Sequence, residues 1–315
     1  MKLNTKMNKS EIKDLLKEQR ETLSEASLNT YGSLISTLVK RLGNIDLDNT
    51  KMITTYLSNP ESRISLNAKK TILSGLYILS KKQDYKDAMM ENIKEFNDIQ
   101  KTQTMTEKER ENWIDFKEIA KIYKDNKKRY WEMLKKDKLN DKEKQDVMKF
   151  IIFLFCSGVL FPPRRSQDWV SLKWKNDGSK DTNYIEKSQF IVFQNYKTEK
   201  TYNSQKIDIG REASKWLKAW HKHQDSAYVF TTNKNIPLSS NILGQKLNSF
   251  FDGKHISTSM LRKIYLSEKY KDIPKLAEME KTAKQMGHSL DEALKSYVKK
   301  NNDKDEMETK EEKKT

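Results

Sequence analysis

The sequence predicts a mainly α protein with a small antiparallel β-sheet, divided between a helical first domain and an α+β second domain. Three observations carry that expectation. Apolar residues recur at steps of three and four through much of the chain. β-Branched and aromatic residues with partial alternation concentrate between Trp174 and Gly210. The length of 315 residues accommodates two ordinary domains, each able to bury a core without disulfides or metals.

The segment SLNTYGSLISTLVKRLG sets Leu28, Tyr31, Leu34, Ile35, Leu38, Val39 and Leu42 on one helical face, with Ser27 as N-cap and Gly43 as stop. Similar spacing recurs in NAKKTILSGLYILSKK and, more weakly, from Tyr85 to Ile99, and Pro60 punctuates the bundle between Leu57 and Leu66. The polar stretch Lys101 to Glu111 reads as a linker or a solvated helix end, so a boundary belongs near residue 105. Beyond it, Trp113, Phe116, Ile119, Ile122 and Tyr123 open a second helical series. The run KFIIFLFCSGVL is apolar on all sides and should cross the core of the second domain. YIEKSQFIVFQNYK and TYNSQKIDI predict a sheet of two or three strands, with turns at Asn176-Asp177-Gly178 and around Glu199. Helical patterning returns from Ala213, and the tail from 302 to 315 is charged with no capacity to form a core. The expected organisation is therefore 1–105, 106–301 and the tail 302–315.

Lys and Arg total 61 against 45 Asp and Glu, a net charge of +16. This favours a polyanionic partner, either nucleic acid or an anionic membrane surface. No apolar run approaches the roughly 20 residues of a membrane span, and MKLNTKMNKSEIKDLLKEQ lacks the apolar stretch of a secretory signal. A soluble, intracellular protein is expected, located wherever its nucleic acid is. The single cysteine, Cys156, lies in the apolar run and reads as a core residue. Four histidines and one cysteine in no ligand spacing predict neither a metal site nor a cofactor.

Four segments of the second half carry residues suited to chemistry on a phosphodiester. In FCSGVLFPPRRSQDWVSLKW, Arg165 precedes Asp168 by three positions and Leu172-Lys173-Trp174 by seven to nine, while Arg164 stands one position out of register. In QNYKTEKTYNSQKIDI, Lys197 ends the second predicted strand, with Lys200 three residues further on in the turn. HISTSMLRKIYLSEKY contains Met260-Leu261-Arg262. In KQMGHSLDEALKSYVKK, Gly287-His288-Ser289 precedes Tyr297, which lies nine positions after the histidine. Ser289 and Glu292 form a capping-box pattern that predicts a helix starting near Leu290 and carrying Tyr297 on its second turn.

In order and local context these segments, over about residues 150 to 300, resemble the tyrosine recombinase family. The resemblance implies an N-terminal helical core-binding domain and a catalytic domain that cleaves and rejoins double-stranded DNA through a 3′-phosphotyrosine, as a homotetramer on paired sites. It implies Tyr297 as nucleophile, Arg165 and Arg262 on the non-bridging phosphate oxygens, His288 as a further hydrogen-bond donor, and Lys197 or Lys200 as general acid. One position departs from the family pattern. Where a histidine is expected, three residues before Arg262, the chain has Ser259, which can donate a hydrogen bond but carries no charge. His255, seven residues before Arg262, is poorly spaced to replace it.

The residue types fit the reaction. Attack by a phenolic oxygen builds negative charge on two non-bridging oxygens, and two guanidiniums meet it as permanently charged planar forks. A lysine can protonate the departing 5′-oxygen. Fixed cations then stand in for a metal, and the covalent intermediate keeps the bond energy for religation without ATP. Taken singly, Tyr297 could be a packing residue beside Leu290, Ala293 and Leu294, and each cation a solvated charge. Their co-occurrence in order separates the two readings. The Lys- and Asn-rich composition points to an AT-rich genome and to an integrase of a virus or mobile element. Two rivals share the residues: a type IB topoisomerase relaxing supercoils as a monomer, and a catalytically impaired DNA-binding protein on the same fold, motivated by Ser259.

Overall fold

The computed structural model describes residues 1–286, 289–292 and 294, so His288, Tyr297 and the tail from 302 to 315 lie outside the described residues. Contacts divide the chain into two compact units, one formed by Met1–Thr104 together with the chain from Pro274, the other by Met105–Ile273.

The first unit is built on α1 (Lys9–Gln19), α2 (Glu25–Leu42), α3 (Thr50–Ser58), α4 (Leu66–Ser80) and α5 (Gln83–Lys101). Helix α2 starts three residues earlier than expected. Ser24, not Ser27, is the N-cap, and its side chain accepts from the Ser27 N–H. Glu25 favours the earlier start, since its carboxylate suits the first turn of a helix. Gly43 ends α2 at φ 82°, a conformation open to glycine. Pro60 opens a single 3₁₀ turn, Pro60–Ser62. The apolar faces close on a core that includes Ile12, Leu16, Ile35, Ile53 and Leu76. Tyr85 is fully buried there and donates its hydroxyl to the Leu47 carbonyl at 3.1 Å. A second small sheet, absent from the sequence expectation, pairs β1 (Lys2–Leu3) with β2 (Ile45–Asp46) antiparallel. Strands of two residues leave no alternation to read.

The polar stretch from Lys101 is the end of α5 in the first unit, and the second unit opens with α6 (Glu107–Asn112), which starts with a capping box of Thr106 and Glu109. Helix α7 (Phe116–Leu134) leads to α8 (Asp141–Ser157), whose residues Phe150 to Ser157 are all buried. This is the predicted core-crossing helix, and Cys156 is buried within it. The short α9 (Ser166–Val170) precedes a three-stranded antiparallel sheet in chain order: β3 (Tyr184–Glu186), β4 (Phe190–Phe193) and β5 (Gln205–Asp208). Asn176-Asp177-Gly178 does turn, with the Gly178 N–H donating to Asn176 Oδ1, but it precedes the sheet rather than joining two strands. The turn between β3 and β4 falls at Lys187 and Ser188, both at positive φ (52° and 58°). Neither is the Gly or Asn that usually marks such a turn, so the sequence hides it. The polar stretch around Glu199 forms one helical turn, α10 (Glu199–Tyr202). Helices α11 (Gly210–His221), α12 (Ser240–Asn248) and α13 (Thr258–Lys269) complete the unit, and α7, α11, α12 and α13 all pack against α8.

The chain from Pro274 contributes α14 (Leu276–Gln285) and α15 (Leu290–Glu292), the latter starting at the residue its sequence predicts. Among the described residues no helix is long and apolar enough to cross a membrane.

Candidate active site

Two helix starts, separated by more than ninety residues, meet in the second unit. Arg165 is the N-cap of α9, and Arg262 lies in the second turn of α13. A direct bond ties these starts together: the Ser166 N–H donates to the Thr258 hydroxyl at 3.2 Å, across 92 residues. Each helix is anchored by apolar neighbours of its arginine. Trp169, fully buried in α9, makes edge contacts with Phe155 and Phe193. Leu261 and Ile264 bury one face of α13, which packs on α8, and leave Arg262 part exposed between them.

Asp168 lies beneath the arginines, with its side chain 2% exposed. One oxygen accepts from Arg164 Nε at 2.8 Å, and the other, Oδ1, is buried with no hydrogen-bond partner. Burial pushes the Asp168 carboxyl above its ordinary range, opposed by the charge and hydrogen bond of Arg164 and by the charges of Arg165 and Arg262. Burial also lowers the pKa of Arg262, and the positive charge of Arg165 lowers it further. The charges of Arg165 and Arg262 therefore oppose one another, and their helix starts are joined by the Ser166 to Thr258 bond. One carboxylate cannot neutralise three guanidiniums, so the site keeps a positive charge that an anion with several oxygens would relieve.

The two consecutive arginines have different roles. Arg164 is held on every side: by Asp168, by Gln205 Oε1 of β5 at 2.8 Å from its Nη1, and by the Phe193 ring 3.9 Å below its guanidinium. It joins α9 to the sheet. Arg165 is part exposed and stands on an extended N-cap backbone.

The lysine candidates lie on the connection between β4 and β5. Lys197 is exposed in the turn before α10, four residues past the end of β4, and Lys200 is exposed within α10. The Tyr196 hydroxyl donates to the Asn203 carbonyl at 2.6 Å and closes this loop. Ser259 is the second residue of α13 and is exposed, while its neighbour Thr258 is buried. His255 is exposed, and its backbone N–H is held by Asn112 Oδ1 at 2.7 Å. His221 stacks on Trp174, and His223 is buried with Nε2 3.2 Å from the Leu134 carbonyl. His288 and Tyr297 fall outside the described residues, so the geometry speaks for Arg165, Arg262 and the lysine loop alone.

Three structural residues of this region were not singled out from sequence: Gln205, Thr258 and Asn183. Arg164 stands one position out of register in the sequence, and it reaches Asp168 from outside α9, ahead of the extended N-cap Arg165. The partners of the other three are distant in the chain and leave no local signal.

No family model matches the chain, and neither does any curated protein. Among solved structures, one of XerA recombinase aligns over 96% of this chain and 98% of its own, at 12% identity and a TM-score of 0.31. At that score the likeness adds nothing to what the residues themselves carry.

Proposed function

We propose that this chain is a site-specific DNA recombinase of the tyrosine recombinase type, which breaks and rejoins strands of double-stranded DNA. The observation that carries the reading is the pairing of Arg165 and Arg262. Their helix starts, far apart in sequence, are joined by the Ser166 to Thr258 hydrogen bond, and both guanidiniums act by charge on the buried Asp168 that Arg164 already occupies. Such a pair suits the two non-bridging oxygens of a phosphodiester.

In the proposed reaction the Tyr297 phenolic oxygen attacks phosphorus, and the bond to the 5′-oxygen breaks. Arg165, Arg262 and His288 stabilise the charge that develops, and Lys197 or Lys200 hands a proton to the departing oxygen. The product is a 3′-phosphotyrosine that a second 5′-hydroxyl can reopen. Assembly as a homotetramer on paired sites, in the intracellular setting of a virus or mobile element, completes the proposal.

The test is a suicide substrate, nicked so that cleavage releases a short strand and prevents religation. The wild-type chain is expected to form a covalent protein–DNA adduct, and Tyr297→Phe is expected to form none. An adduct that persists in Tyr297→Phe overturns the assignment of the nucleophile. The exposed Ser259 at the position of an expected histidine favours a second reading, a DNA-binding protein on this fold without cleavage. That protein would shift the duplex in a gel and yield no adduct.

A further inference from the structure

Asn183 is 0% exposed and satisfies all four hydrogen bonds its amide can make. Its Nδ2 donates to the Asp168 carbonyl of α9 at 2.9 Å and to the Asn195 carbonyl at 3.0 Å. Its Oδ1 accepts from the backbone N–H groups of Gln194 and Asn195, both at 2.9 Å. One side chain therefore joins the helix that carries Arg165 to the start of the loop that carries Lys197 and Lys200. Its own carbonyl accepts from the Lys173 N–H at 2.9 Å, which fixes Asn183 in place beside the sheet. Gln194 and Asn195 belong to no strand, so they have no sheet ladder to fall back on if this amide is lost.

We infer that Asn183 is a positioning residue for proton delivery: it holds the loop bearing Lys197 and Lys200 at a fixed place relative to the arginine helix. The inference rests on the strand-cleavage reading and holds whichever of the two lysines is the acid. In that step the phosphorus–oxygen bond to Tyr297 forms as the phenol proton is lost to solvent, the bond to the 5′-oxygen breaks, the ammonium proton passes to that oxygen, and the neutral lysine is reprotonated from solvent. An ångström of displacement in a catalytic group is enough to cost about a hundredfold in rate.

The experiment compares adduct formation on two suicide duplexes, one ordinary and one with sulfur in place of the bridging 5′-oxygen. A thiolate leaves without a proton, so the sulfur substrate does not need the lysine. Asn183→Ala is expected to slow cleavage of the ordinary substrate by about a hundredfold and to cleave the sulfur substrate at close to the wild-type rate. Asn183→Asp keeps an oxygen to accept from the Gln194 and Asn195 N–H groups but sets a second carboxylate oxygen against the Asp168 and Asn195 carbonyls. It carries the same expectation if Asn183→Ala does not fold. Equal losses on both substrates, or none on either, while the wild type cleaves both, would overturn this inference alone. A wild-type chain that forms no adduct on either substrate overturns the cleavage reading and this inference with it.

Discussion

Arg164 and Arg165 are neighbours in the chain and differ in what surrounds them. Arg164 is the hydrogen-bonded ion-pair partner of a carboxylate that is almost fully buried, so Arg164→Ala removes that bond and should lower stability by about 3 kcal/mol in urea unfolding. Arg165 is part exposed and is repelled by Arg262, so Arg165→Ala should change stability by no more than about 0.5 kcal/mol. The same substitution should slow adduct formation by roughly a hundred- to a thousandfold. A reversed pattern, with Arg165 structural and Arg164 dispensable, would contradict the assignment. At this scale the charged candidates are legible in the sequence, because arginine in a recognisable local pattern is visible without a structure. The sequence could not show Asn183, whose four bonds reach residues 11 to 15 positions away through backbone groups that every residue possesses.

Among the elements, α8 and α13 set the geometry. Gly158 ends α8 at φ 86°, and a Cβ there would stand 2.8 Å from Tyr265 Cδ2 and 3.2 Å from Pro163 Cδ. Tyr265 is one turn beyond Arg262, and Pro163 immediately precedes Arg164. Gly158→Ala should therefore cost roughly 2 kcal/mol or more in unfolding experiments, from left-handed backbone and overpacking together, and should slow cleavage by moving both arginine segments. Unchanged stability in that variant would contradict the packing described. Helix α13 has a second tether in the ion pair of Lys263 with Glu109 of α6. The Lys263 ammonium and the Thr106 N–H hold the Glu109 carboxyl down at about 2, from an ordinary 4.5. Because the folded value lies below the unfolded one, this contribution is fully present above about pH 4.5 and is lost as pH falls towards 2. The stability gap between wild type and Lys263→Met, measured by urea unfolding at successive pH values, should close over that window. A gap that stays constant from pH 5 to 2 would remove the tether from the account. The long helices were legible from periodicity, and α8 from its all-round apolar character. The Lys187-Ser188 turn and the pairing of β1 with β2 were not, since tertiary contacts rather than local chemistry specify them.

For the molecule as a whole, composition points to a polyanionic partner and periodicity to the mainly helical build, while the meeting of distant segments needed three dimensions. Arg165 and Arg262 are remote in the chain, and nothing in either segment announces the Ser166 to Thr258 bond that joins their helices. The central claim is that the anion held by these arginines is a DNA phosphate attacked by Tyr297. The most direct measurement is tandem mass spectrometry of the protein after trapping on a nicked suicide duplex and digestion with nuclease and protease. The account predicts a nucleotide attached through a 3′-phosphate to the tyrosine of the peptide containing Ser296-Tyr297-Val298, in amounts sharply reduced by Arg165→Ala and Arg262→Ala. A nucleotide on any other residue, or an unmodified Tyr297 in a protein that has cleaved its substrate, would contradict it.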